Sequence, residues 1–205
     1  MKKEAVMSRQ KNKGNSFERA VASDLSNIFE LPFNRTMGSG SFIGGKNQYR
    51  KSQISTHLVT ASRGDIVCPA EHGWNFIIEC KNYADLNFNG IIQGYCDKLS
   101  GWITEVRFDA ENKSNHMVCF KINRAGTYLA LPFIKEKADY LMSVEVPYTL
   151  YPYYAYDEEL EANTLEQWYC IISYEYLAGD FNESDPSLQQ AVKLYIEHLA
   201  TKLSI

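Results

Sequence analysis

"GDIVCPAEHGWNFIIECKNY", residues 64–83, decides how the chain is read. Two short apolar runs, "RGDIVCPA" and "WNFIIECK", flank Glu71-His72-Gly73, which is the pattern of a β-hairpin. In the second run side chains alternate, so Asn75, Ile77, Glu79 and Lys81 share one face and Phe76, Ile78 and Cys80 the other. If the two runs pair, Asp65 at the start of the first lies next to Glu79. Two carboxylates and an ammonium then converge at a sheet end, beside apolar neighbours. Burying such charges costs several kcal/mol unless they pair or bind an ion.

Adjacent carboxylates raise each other's pKa unless a cation sits between them. A hard divalent ion with oxygen ligands, Mg2+ above all, resolves that conflict. A lysine beside it supplies a donor to a phosphate oxygen or an attacking water. Acid, acid and lysine is the chemistry of metal-assisted phosphodiester hydrolysis.

Working outward, "NSFERAVASDLSNIF" predicts a helix whose stripe is Phe17, Ala20, Val21, Leu25, Ile28 and Phe29, ending before Pro32. Glu18 sits at the border of that stripe. It offers a third carboxylate, although a capping box with Asn15 explains such a glutamate more often. "NGIIQGYCDKLSGWITEV" reads as one further helix. "HMVCFKINRAGTYLALPF" reads as a second hairpin turned by Arg124-Ala125-Gly126. The order α-β-β-α-β-β predicts an α/β chain with a mixed central sheet flanked by helices. Residues 36–63, rich in Gly and Ser and carrying Lys46, Arg50, Lys51 and Arg63, read as a long loop that is either functional or mobile.

Composition narrows the class. No apolar run of membrane-spanning length and no secretory h-region are present in the 205 residues, so the expectation is a cytoplasmic protein that touches no membrane. Five cysteines without CxxC spacing, and four histidines without HxxxH, argue against zinc. Basic residues outnumber acidic 12 to 7 over residues 1–82, whereas acids outnumber bases 12 to 2 over 139–205. The first part suits a polyanion and the last would repel one. The expected organisation is a basic arm (1–15, with Lys11 and Lys13 available to phosphates), a catalytic core (16–138) and an acidic, Tyr-rich C-terminal extension packed on it (139–205). "YPYYAY", lacking interleaved bases, reads as core or subunit interface. "GSGS", without a following GK[ST], is no nucleotide-binding loop, so no nucleotide cofactor is expected.

The ordered blocks "GNSFERAV", "NRTMGSGS", "GDIV", "FIIECK" and "CFKINRAGTYLALPF" resemble the PD-(D/E)XK nuclease superfamily, and within it the archaeal-type and phage Holliday-junction resolvases. The resemblance spans roughly residues 11–135. It implies a restriction-endonuclease-like fold and a Mg2+-dependent DNA endonuclease (Mn2+ as a substitute) resolving branched DNA in recombination and repair, in a bacterial or phage-infected cell. It implies Asp65 and Glu79 as direct metal ligands, Glu18 as a nearby acid acting through water, and Cys80 as a ligand through its backbone carbonyl. Lys81 would orient the nucleophilic water, and Ser39 would stand near the scissile phosphate. Arg35, Ser41, Lys46, Arg50, Lys51, Arg63, Lys121, Lys11 and Lys13 would follow the DNA. A symmetric substrate implies a C2 homodimer. The alternatives are a restriction, repair or packaging nuclease of the same fold, and a non-catalytic DNA-binding protein that keeps it. Gly64 stands where the superfamily often has proline.

Overall fold

The computed structural model describes residues 2–36, 63–68, 72–111, 113, 115–179 and 186–201, with side chains from residue 12 onward. Its elements in chain order are α1 (Lys2–Phe29), β1 (Asn34–Arg35), β2 (Ile66–Val67), β3 (Ile77–Tyr83), α2 (Phe88–Ile92), α3 (Asp97–Asp109), β4 (His116–Ile122), β5 (Gly126–Pro132), α4 (Lys135–Ser143), β6 (Tyr148–Asp157), β7 (Ala162–Ser173), α5 (Glu175–Ala178) and α6 (Pro186–Thr201). The strands form one seven-stranded sheet in the order β1-β2-β3-β4-β5-β7-β6. Only β3 and β4 pair in parallel. That pair needs a crossover, which α2 and α3 supply. The expected α/β architecture, a mixed sheet between helices, is what the chain builds.

Strand alternation divides the core in two. Ile78, Cys80, Met117, Cys119, Leu129, Leu131, Cys170 and Ile172 pack under α1, α4, α5 and α6. Ile77, Val118, Phe120, Ala130, Tyr151, Tyr169 and Ile171 pack under α2 and α3. All five cysteines are buried thiols, small residues of the core.

Four features depart from the sequence reading. The first helix begins at Lys2, so the stretch 1–15 read as a basic arm is, from Lys2 on, part of α1. Because the helix runs through Asn15, that residue is no N-cap and Glu18 closes no capping box. The single helix expected after residue 88 is two, since Gly94 adopts φ +83°, a left-handed conformation that ends α2. Asn87 caps α2 by accepting from the Gly90 N–H at 3.0 Å. Finally, the Tyr-rich segment beyond residue 139 contributes two of the longest strands to the sheet itself, with β7 hydrogen-bonded to β5.

Candidate active site

Gly64 and Asp65 hold the frayed end of the sheet to β3. β2 pairs with β3 at Ile66 and Ile78, which brings Asp65 alongside Glu79. Gly64 has φ +65°, and a Cβ there would lie 2.7 Å from the Ile78 carbonyl oxygen. Only glycine fits that approach, which accounts for its place where proline is common. Asp65 is pinned by its own N–H donating to the Ile78 carbonyl at 2.8 Å and by its carbonyl accepting from the Thr36 N–H at 2.8 Å. Its buried carboxylate accepts from the Cys80 N–H at 2.9 Å.

Glu79 and Lys81 point together toward α3. The Lys81 ammonium lies 2.8 Å from Glu79 Oε1 and 2.8 Å from Glu105 Oε2. Burial, and then the charge of Asp65, push the Glu79 carboxyl up to about 8 against the pull of Lys81. Lys81 is also raised: burial lowers it, but Glu79 and Glu105 together outweigh that. Two neighbouring carboxylates, of which Glu79 is reluctant to ionise, are an oxygen-donor set that suits a hard divalent cation. The Cys80 side chain points to the other face, against Cys119, and burial pushes its thiol up. Its thiol takes no part; only its backbone is at the site.

Glu18 stands on α1, which covers the opposite face, and Arg35 takes its carboxylate in an ion pair. Arg35 also donates to the Asn15 side chain at 2.8 Å. Among the described residues, no group of three or more His, Cys, Asp or Glu side chains is close enough to hold a metal ion. The structure thus brings Asp65, Glu79 and Lys81 together and leaves Glu18 with Arg35. Arg63 pairs with Glu111 at the end of α3. Lys121 is exposed, and Lys13 is exposed and donates to the Asn123 side chain at 2.7 Å. Gln93, on the segment after β3, is the C-cap of α2. Ser39, Ser41, Lys46, Arg50 and Lys51 lie outside the described residues, as does the side chain of Lys11.

Sequence reasoning misses Glu105. Glu105 is on α3 four residues after Gly101, on an exposed turn whose acid carries no motif. Only the docking of α3 over β3 identifies it. Asn15, expected as a cap, instead accepts from Arg35 beside Glu18.

Among the described residues no helix is long and apolar enough to cross a membrane. Comparison with curated proteins and with solved structures gives no match. A family model described as phage putative PDDEXK endonuclease matches residues 9–185, which include β6 and β7 as well as the acid-acid-lysine end of β2 and β3. By that match, and with the mixed sheet that carries Asp65, Glu79 and Lys81, the chain belongs to the phage putative PDDEXK endonucleases.

Proposed function

We propose that the protein is a metal-dependent DNA endonuclease that hydrolyses phosphodiester bonds in branched DNA, acting as a C2 homodimer on structures such as Holliday junctions. The observation that carries the reading is the meeting of Asp65, Glu79 and Lys81 at a buried sheet end in a chain of this family. Mg2+, with Mn2+ as a substitute, would be held by Asp65 and Glu79, by the Cys80 carbonyl and, through water, by Glu18. Bound there, it supplies Lewis-acid polarisation of the phosphate.

The chain's own residues do the positioning. Asp65 is held by its backbone hydrogen bonds and by the Cys80 N–H, which fix the direction of its carboxylate. An ammonium has three N–H donors, and two on Lys81 are engaged by Glu79 and Glu105. The third orients the attacking water. Ser39 stands near the scissile phosphate, and Arg35, Ser41, Lys46, Arg50, Lys51, Arg63, Lys121, Lys11 and Lys13 track the backbone. Two of these, Arg35 and Arg63, now serve carboxylates and would exchange them for phosphates.

The test is incubation with four-way, flap, single-stranded and linear duplex DNA, with and without Mg2+. Paired symmetric nicks in the four-way junction, dependent on the metal, are expected. Cutting of linear duplex in preference would replace the resolvase reading with a restriction, repair or packaging role, and no cutting at all would remove the nuclease reading.

A further inference from the structure

The turn between β4 and β5 carries an arginine where the backbone favours glycine. The Ala125 N–H donates to the Ile122 carbonyl at 3.2 Å, closing a four-residue turn whose third position is Arg124. Arg124 has φ +64°, a left-handed conformation that glycine or asparagine adopts with least cost in such a turn. The Tyr128 hydroxyl fixes the turn by donating to the Ala125 carbonyl at 2.6 Å. Among the described residues five non-glycine residues have positive φ, and Arg124 is the cation among four glutamates, Glu30, Glu111, Glu145 and Glu161.

The surroundings are cationic. Lys121 projects from β4, exposed, and Lys13 on α1 reaches over to Asn123 at 2.7 Å. Arg124 is exposed, and among the described residues neither it nor Lys121 has an ion-pair partner. Glu175 acts on the nearby Tyr128 phenol but makes no ion pair with Arg124 among the described residues. The Asn123 N–H donates to the Tyr83 carbonyl at 3.1 Å, so the turn begins where β3 ends, two residues past Lys81. Two residues of strand are about 7 Å. Lys81 faces α3 while Lys121 and Lys13 stand on the α1 side, so the turn marks the sheet end around which a nucleic-acid strand with a phosphate at Lys81 would pass from one face to the other.

We infer that the β4–β5 turn is a phosphate-docking point for the nucleic acid, with Arg124 as its principal contact and Lys121 and Lys13 beside it. The inference rests on the nuclease reading and adds to it where the strand leaves the site. Arg124 contacts the backbone without reading bases, so its contribution is sequence-independent and salt-dependent.

Arg124→Gly separates the two roles of the side chain, because it relieves the turn while removing the cation. Binding of a fluorescein-labelled four-way junction and a linear duplex is measured by anisotropy in Ca2+ across a salt series, with Lys135→Ala as a control that loses one exposed charge elsewhere. The expected result for Arg124→Gly is an unchanged or higher Tm, several-fold weaker binding to both DNAs, and a salt slope smaller by about one. Lys135→Ala should keep the wild-type slope. Wild-type affinity and slope in Arg124→Gly would overturn the inference, as would a lowered Tm or an equal loss in Lys135→Ala. A wild-type protein that binds neither DNA would instead bring down the nuclease reading itself.

Discussion

The two ends of the sheet are built by opposite rules. At one end β1 and β2 have two residues each, and the site's charges lie where the ladder stops. At the other, β6 and β7 have 10 and 12 residues, and the buried polar groups between β7, β6 and α3 find partners. The Tyr151 hydroxyl meets Ser100 at 2.7 Å, His116 Nε2 meets the Tyr169 hydroxyl at 2.8 Å, and Arg107 joins Glu166 and Gln167. Arg107 also lies over the Tyr153 ring at 5.0 Å. The long end contributes stability through satisfied hydrogen bonds. The short end keeps Asp65 beside Glu79, whose carboxyl burial raises, at a cost to stability that a bound cation would offset.

The largest expected effect is on the short end's chemistry. Asp65→Asn should lower cleavage at least about 100-fold while binding in Ca2+ stays near wild type, because affinity comes from Lys and Arg. Lys81→Arg should lose most activity too, since a planar guanidinium cannot take the place of an ammonium held between two carboxylates. Retained turnover in either variant, measured in single-turnover cleavage assays, would erase the contrast between the ends.

A change at the long end should do the reverse. Tyr169→Phe leaves the fully buried His116 ring with one nitrogen unpaired, so it should cost about 1–3 kcal/mol of stability with cleavage intact. Chemical denaturation alongside a cleavage assay checks it. Normal stability would mean that the hydrogen bond contributes nothing to the long end.

The ends should also answer pH in opposite directions. Burial, helped by the Arg107 charge and opposed by the Lys113 carbonyl, holds His116 down to about 4. A histidine depressed in this way lends stability that is present above its ordinary pKa and is lost as pH falls through the folded value. The window for the long end is therefore from about 6.5 down through about 4. Glu79 is displaced the other way, so its contribution is full below about 4.5 and lost as pH rises through about 8. Thermal unfolding of the metal-free protein across that range should fall off on both sides, and Mg2+ should lift the alkaline side alone.

The smallest expected effect belongs to Glu18. Glutamine keeps a hydrogen bond to Arg35, so Glu18→Gln should change stability by about 1 kcal/mol or less. If Glu18 serves the metal through water, the Mg2+ needed for half-maximal cleavage rises while Tm does not move. An unchanged Mg2+ dependence would confine Glu18 to its ion pair.

The sequence carried the short end better than the long one. Asp65, Glu79 and Lys81 could be placed because a strand's period of two and one hairpin fix which side chains meet, and both are local. The α1 stripe, with Val21, Leu25 and Phe29 buried, followed from helical spacing for the same reason. β6 and β7 were hidden by composition. In β6 the alternation is written in one residue type, with Tyr151 and Tyr153 buried and Tyr154 and Tyr156 exposed, so no hydrophobic-polar contrast marks it, and a bulge at Glu166 shifts the register of β7 against it. Arg35 with Glu18, Lys81 with Glu105 and Arg107 with Glu166 join residues 17 to 59 positions apart, and no local pattern announces such pairs.

Glu79→Gln bears most directly on the site as a cation-holding pair placed at the short end. The substitution removes the charge whose burial is unfavourable, so the metal-free variant should melt at an equal or higher temperature than wild type at pH 8 and above, and should no longer cut DNA in Mg2+. Full cleavage by Glu79→Gln, or a lower melting temperature at that pH with cleavage retained, would contradict the assignment and return Glu79 to the structural framework.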